Sequence, residues 1–141
     1  LLLIILLIVG CAPNVSENEN QNDESMWGGS ACNMSEDSIH IKANGSVLYN
    51  ISTDINGFQF KLDGATVLSV SGGDAGAAGF TMNTNPNTGI VLGFSLTGTT
   101  IPAGCGELVS LSLNQSPSML SQIIFSNENG ESISIEYFFG E

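Results

Sequence analysis

The chain has 141 residues, a net charge of −12, and only 2 basic side chains against 14 acidic ones. This length allows one domain, and the charge excludes nucleic-acid binding, because phosphate recognition requires a basic surface. An acidic surface favours instead solubility, a cation-rich environment or a basic partner.

The chain begins with nine consecutive aliphatic residues, Leu1 to Val9. A helix of this length is too short to cross about 30 Å of hydrocarbon, but it is typical of the apolar centre of a signal peptide. We therefore interpret residues 1–10 as a signal-peptide core. No Met or basic segment precedes it, so we expect that the start of the signal is missing.

The next residues, Ile8-Val9-Gly10-Cys11, resemble the lipobox of bacterial lipoproteins. The resemblance implies that the thiol of Cys11 carries a diacylglycerol. The protein would then be exported and held in a membrane by lipid alone, at the cell surface or in the periplasm. The alternative is an ordinary secretory signal that is followed by a chance cysteine.

Residues 11–37 are predicted to be the lipidated cysteine and a disordered acidic spacer. The stretch 16–25 is rich in Glu, Asn and Ser, shows no apolar periodicity and has little surface to bury. Trp27, the only tryptophan, interrupts this spacer. It either stacks on a sugar or contacts a partner, or it packs against the edge of the neighbouring domain, and we favour packing.

If Cys11 carries lipid, two cysteines remain, Cys32 and Cys105, an even number in an oxidising compartment. We predict that they form a disulfide, which would close a loop of about 70 residues and stabilise the fold by about 4 kcal/mol. The alternatives are two free thiols, or a zinc site that also uses His40. Zinc is disfavoured because the C-x-x-C spacing and an obvious fourth ligand are both missing.

From residue 38 onward, short runs alternate between apolar and polar residues, which is typical of antiparallel strands with one buried face. Asp63-Gly64 and Asn129-Gly130 are among the turn sequences that separate these runs. Residues 73–79 leave room for one helical turn, although glycine disfavours it. The predicted strands are residues 47–51, 58–62, 65–71, 79–83, 89–96, 108–113, 120–126 and 133–138.

These patterns predict an all-β fold over residues 38–141, a jelly-roll or immunoglobulin-like antiparallel β-sandwich of eight to nine strands. Bulky apolar residues within the runs are core by default. The residues that we expect in the core are Phe58, Phe60, Leu62, Phe80, Phe94, Leu108, Leu111 and Ile124.

Three segments of this region resemble cohesin domains. Residues 56–62, Asn-Gly-Phe-Gln-Phe-Lys-Leu, resemble an early cohesin strand, and residues 91–96 are similar to a middle strand. Residues 101–111 resemble the turn and alternating strand that follow. The resemblance covers residues 40–138 and implies a jelly-roll sandwich that binds a calcium-loaded dockerin-like module through one sheet face. The chain is shorter than typical cohesins and carries Cys105 in the turn.

The sequence argues against an enzyme. His40 has no acidic motif beside it, no G-x-S-x-G motif is present, and the acidic residues are scattered over turns and strand edges. Residues 127–131 offer oxygen donors, but their spacing is not that of a calcium loop, and turn formation explains them. We therefore expect no catalytic residue, no metal and no cofactor.

We thus predict a non-catalytic, surface-anchored module for protein–protein interaction of the cohesin type, which should have a flat sheet face of mixed polarity. The alternative is a carbohydrate-binding or adhesive sandwich that binds polysaccharide, which should expose two or three aromatic residues on one face. A third alternative is a structural repeat from a longer surface protein. The only aromatic candidates for sugar stacking are Trp27, Tyr49, Tyr137 and Phe139.

Overall fold

The computed structural model describes residues 27–140, which fold into two packed five-stranded sheets. This confirms the predicted all-β sandwich, with ten strands instead of eight to nine. A short helix, α1 (Gly73–Ala77), joins the fourth and fifth strands. The strands are β1 (Ser38–Ile41), β2 (Ser46–Ile51), β3 (Gly57–Asp63), β4 (Val67–Ser71), β5 (Thr81–Asn85), β6 (Ile90–Phe94), β7 (Gly104–Leu113), β8 (Met119–Ser126), β9 (Ser132–Ile133) and β10 (Glu136–Tyr137).

The first sheet has the strand order β10-β1-β2-β7-β4, and the second has the order β5-β6-β3-β8-β9. All pairings are antiparallel except that of β1 with β10. The run 133–138, predicted as one strand, is divided between β9 in the second sheet and β10 in the first. This last segment therefore closes one side of the sandwich.

The core lies between the sheets and is centred on β3, whose burial alternates strictly along the strand. The ring of Phe58 stacks on those of Phe60, Phe80 and Phe125, with centroids 5.8 to 6.2 Å apart. Gly93 of β6 lies opposite Phe58, and a Cβ at this position would collide with the Phe58 ring. The ring therefore packs directly on the glycine backbone.

Two of the residues predicted in the core were assigned wrongly. Ile124 is 54% exposed, and Phe125 is buried instead, because β8 contains a bulge. Gln59 and Lys61 of β3 are partnered by Ile124 and Ser121, so β8 has one extra residue at this point. The extra residue reverses the alternation that the first half of β8 establishes.

Phe94 was the other wrong core assignment, and it lies half-buried on the outer side of β6. Every residue of β6 is apolar or glycine, so the sequence does not reveal which face of the strand is inside. Gly93 faces inward because of Phe58, and Phe94 must then face outward. The other six predicted core residues are buried.

Residues 27–37, which the sequence assigned to the spacer, are part of the folded unit. Trp27, at 5% exposure, Ala31 and Met34 are buried against Leu48 and Phe138 in a second apolar cluster. A 3₁₀ turn covers Ala31–Asn33. The buried positions follow a spacing of four and three, but the polar residues between them mask this pattern. The packing of Trp27 is confirmed.

The helical turn considered for residues 73–79 is present as α1, which packs on β7. Gly73 has a φ of +66°, and its Cα lies directly against the backbone of Leu108, where a side chain has no room. Glycine is therefore required for this close approach. Within residues 27–140, no helix has the length and apolar character needed to cross a bilayer.

The bulge in β8 predicts losses of very different size for two neighbouring substitutions. Phe125→Ala should destabilise the protein by about 3–5 kcal/mol, because it empties a fully buried site. Ile124→Ala should cost less than about 1 kcal/mol, because this side chain lies on the exposed face. Urea denaturation measures both values, and equal losses would contradict the bulged register.

Candidate functional site

The signal-peptide core and the predicted lipidation site at Cys11 lie outside the described residues. Cys32 and Cys105, in contrast, form the predicted disulfide, with Cα atoms 5.2 Å apart. The bond joins the 3₁₀ turn to β7 across 73 positions of sequence. A disulfide is characteristic of proteins exported to an oxidising compartment.

His40, considered above as a zinc ligand, has a structural role in the same region. Its Nδ1 donates a hydrogen bond to the carbonyl oxygen of Phe138 at 2.8 Å. The ring of Trp27 lies edge-on to both His40 and Phe138, at 5.1 and 5.2 Å. Trp27 thereby fixes the N-terminal segment to the end of β10. In residues 27–140, no group of three or more His, Cys, Asp or Glu residues is arranged to hold a metal ion.

The calcium alternative concerned residues 127–131, whose donors are used within their own turn. The Oδ1 of Asn127 accepts hydrogen bonds from the backbone N–H groups of Asn129 and Glu131, both at 2.9 Å. The Nδ2 of Asn127 donates to the Glu131 carboxylate at 2.9 Å. These bonds are those of an Asn-stabilised turn, and they support the interpretation as turn chemistry.

The most extended candidate site is the outer face of the second sheet. Its centre is formed by three apolar side chains, those of Leu92, Phe94 and Ile124. Gln59 lies between Leu92 and Ile124 in one cross-strand row. In the next row, Gly57 lies between Phe94 and Ser126. We call this surface, formed by the outward residues of β5, β6, β3 and β8, the outer face.

The relief of the outer face is shallow. A depression of about 230 Å³ lies over Gly57, which has no side chain to fill the space between Phe94 and Ser126. The edge strand β5 adds Thr81 and Asn83, which lie beside Phe94 and Leu92. The outer face is therefore a nearly flat surface with an apolar centre and polar borders.

A charged pair marks one end of the outer face. The Nζ of Lys61 lies 2.9 Å from Oδ1 of Asp63. Hydrogen bonds from Lys61 and then from Ser121 lower the pKa of Asp63. The pair is solvent-exposed, so its contribution to stability is small.

A second polar pair lies at the junction of α1 and the first sheet. The hydroxyl of Tyr49, a buried residue of β2, donates to Oδ2 of Asp74 in α1 at 2.6 Å. Burial, and then the hydrogen bond and the negative charge of Asp74, raise the pKa of Tyr49 far above its usual value. The bond holds the short helix against the sheet.

The four aromatic candidates for sugar stacking fall into two groups. Trp27 and Tyr49 are buried, and they cannot present a ring face to a ligand. Tyr137 and Phe139 lie together on the surface, with centroids 4.9 Å apart and ring planes at 82°. The perpendicular planes do not form a common platform.

The sequence did not identify the outer face, because Phe94 and Ile124 were assigned to the core. One signal was available in the sequence Leu120-Ser121-Gln122-Ile123-Ile124-Phe125. Two adjacent polar residues followed by three apolar ones break the period of two, which indicates a bulge.

Comparison with known proteins does not assign the chain to a family. No protein-family model matches it, and no curated protein matches it.

The disulfide should contribute substantially to stability. Replacing both Cys32 and Cys105 by Ser should lower the free energy of unfolding by about 4 kcal/mol, because the unfolded chain regains the freedom of a long loop. Guanidinium denaturation with and without reductant measures this. The double variant should be insensitive to reductant, and a reductant effect equal to that on the wild type would contradict the assignment.

The raised pKa of Tyr49 predicts a loss of stability in alkali. Because folding favours the neutral phenol, Tyr49 stabilises the folded state fully below about pH 10, the ordinary tyrosine pKa. This stabilisation is lost progressively as the pH rises above that value. Tyr49→Phe should cost about 1–2 kcal/mol at pH 7 through the lost hydrogen bond. Denaturation curves should show a constant difference from about pH 8 to about pH 10 and a smaller one at about pH 11. An unchanged difference at about pH 11 would contradict the assignment.

Proposed function

We propose that this chain is a non-catalytic binding module of the cohesin type, which holds a protein partner on the outer face. The partner is a dockerin-like module. The antiparallel sandwich and the disulfide typical of exported proteins support the proposal. Attachment to a membrane by lipid on Cys11 is a further part of the proposal, supported by the residues that lead to that cysteine.

The observation that carries the proposal is the composition of the outer face. Leu92, Phe94 and Ile124 are the apolar side chains of its centre, and the amide of Gln59 lies between two of them. Asn83 and Ser126 are polar residues at its borders. Protein–protein interfaces have this arrangement, with apolar anchors at the centre and hydrogen-bonding groups at the rim. A rigid sheet also limits the entropy that is lost on binding.

The polar groups of the molecule favour binding over catalysis. A catalytic site needs a general base or nucleophile that converges on a cleft with its partners. Two hydroxyl–carboxylate pairs, Ser46 with Glu107 and Tyr49 with Asp74, have oxygens 2.6 Å apart. The phenol of Tyr49 is neutral at physiological pH, and its raised pKa makes ionisation still harder. Its hydroxyl proton is directed to Asp74, so the pair acts as a structural link.

Carbohydrate binding is the less favoured alternative. Successive sugar rings stack on aromatic side chains that lie on one plane. Two of the four candidates are buried, and the rings of Tyr137 and Phe139 are nearly perpendicular. The outer face carries one aromatic side chain, Phe94. This arrangement of aromatic rings is better suited to binding a protein partner than to binding an extended sugar chain.

A direct binding measurement tests the proposal. The protein should begin at residue 12 so that Trp27 and Cys32, which belong to the folded unit, are retained. Immobilised protein is titrated with dockerin-like modules in calcium and, in parallel, with cellulose, xylan and chitin. We expect saturable binding of a dockerin-like module. Binding of the polysaccharides without binding of any such module would refute the proposal.

Matched variants locate the contact. Ile124→Glu places a charge at the centre of the outer face and should weaken binding of the dockerin-like module at least about tenfold. Leu68→Glu is the control, because Leu68 is 57% exposed but lies on β4 of the first sheet. It should change the affinity less than about twofold. Equal losses in the two variants would place the contact elsewhere.

A further inference from the structure

A cleft of about 540 Å³ lies where the loop before β1 meets the last residues of the described chain. Its walls carry two aromatic side chains, Tyr137 and Phe139, and three carboxylates, those of Glu36, Asp37 and Glu136. The cleft belongs to the edge of the first sheet, whereas the outer face belongs to the second. Nothing in the proposed function uses it.

A contact with His40 supports one of the two aromatic rings of the cleft. The ring of Tyr137 stacks on His40 at 5.7 Å, and His40 is fixed by its hydrogen bond to the Phe138 carbonyl. Phe139 stands edge-on to Tyr137 and is 69% exposed. A phenylalanine ring that is this exposed, beside a ring that is held in place, can contact a ligand.

One of the three carboxylates, that of Asp37, is held by hydrogen bonds. Asp37 adopts a φ of +65°, and its Oδ1 accepts hydrogen bonds from the backbone N–H and the hydroxyl of Ser52, both at 2.9 Å. Its carbonyl oxygen accepts from the backbone N–H of Glu136 at 3.1 Å. Glu36, the neighbour of Asp37 in sequence, and Glu136 are both exposed. Acidic groups therefore flank the aromatic wall.

Three kinds of ligand fit such walls to different degrees. A metal ion is disfavoured, because the described part of the chain has no group of three ligating residues arranged for one. A sugar chain needs several coplanar rings, but Phe139 offers a single ring face beside a perpendicular neighbour. A guanidinium group needs one ring, on which it stacks, and carboxylates that accept its N–H groups. The net charge of −12 also attracts basic chains.

We propose that this cleft is a docking site for an arginine side chain of a basic polypeptide partner. The guanidinium stacks on the Phe139 ring and donates hydrogen bonds to Glu136 and Glu36. The site is independent of the outer face, so a partner can engage it whether or not a dockerin-like module binds the second sheet.

The test uses the chain from residue 12 with its disulfide formed. Tetra-arginine is titrated in about 150 mM salt, where surface charges are largely screened, and binding is followed by calorimetry and NMR shifts. Tetra-citrulline, which has the same shape without the charge, and cellohexaose are titrated in parallel. We expect tetra-arginine to bind and to shift the amides of residues 136–139, and the other two ligands to leave them unchanged.

Paired variants separate this site from general attraction to an acidic protein. Phe139→Ala and Glu136→Gln should each weaken tetra-arginine binding about three- to tenfold. The controls are Leu96→Ala, an exposed leucine after β6, and Glu128→Gln, an exposed carboxylate between β8 and β9. These should change the affinity less than about 1.5-fold. The proposal is overturned if Glu128→Gln weakens binding as much as Glu136→Gln, or if cellohexaose binds at Phe139 in place of the peptide.

Discussion

The packing of the Phe58 ring on Gly93 is the contact on which the rest of the sandwich depends. Phe58 also touches three other phenylalanine rings, and these come from β3, β8 and the segment after α1. One ring therefore joins the centre of the second sheet to its neighbouring strands. Because Gly93 must face this ring, the residues on either side of it must face solvent. The internal contact thus determines which side chains the outer face displays.

The sequence predicted the class of fold well and the composition of its surface poorly. Strand β3 was recognised because its apolar and polar residues alternate, so its burial follows from the sequence alone. In β6 all residues are apolar or glycine, and only the partner ring decides the orientation. In β8 a single extra residue exchanged the roles of Ile124 and Phe125. The candidate site consists largely of residues whose orientation is decided by tertiary contacts and not by the local sequence pattern.

Prediction from the local sequence also failed in part at the N-terminal end of the folded unit. The pairing of Cys32 with Cys105 was predicted by counting cysteines in a chain that we expect to be exported, and it is present. The burial of Ala31 and Met34 was missed, because the segment around them has the polar composition of a spacer. Their partners, Leu48 and Phe138, are distant in sequence. Local composition carries no information about such a distant apolar surface.

The disulfide also has a mechanical consequence. A covalent bond does not lengthen under tension, so a pull applied to the chain before Cys32 passes directly to β7, bypassing the backbone between the two cysteines. Strand β7 is hydrogen-bonded on both sides, to β2 and β4, and sharing tension between two neighbours makes it a firm attachment point. Residues 33–104 cannot be drawn out from the N-terminal end while the bond is intact. A load on the chain before Cys32 would therefore enter the sandwich at β7 and not at β1, the first strand in sequence.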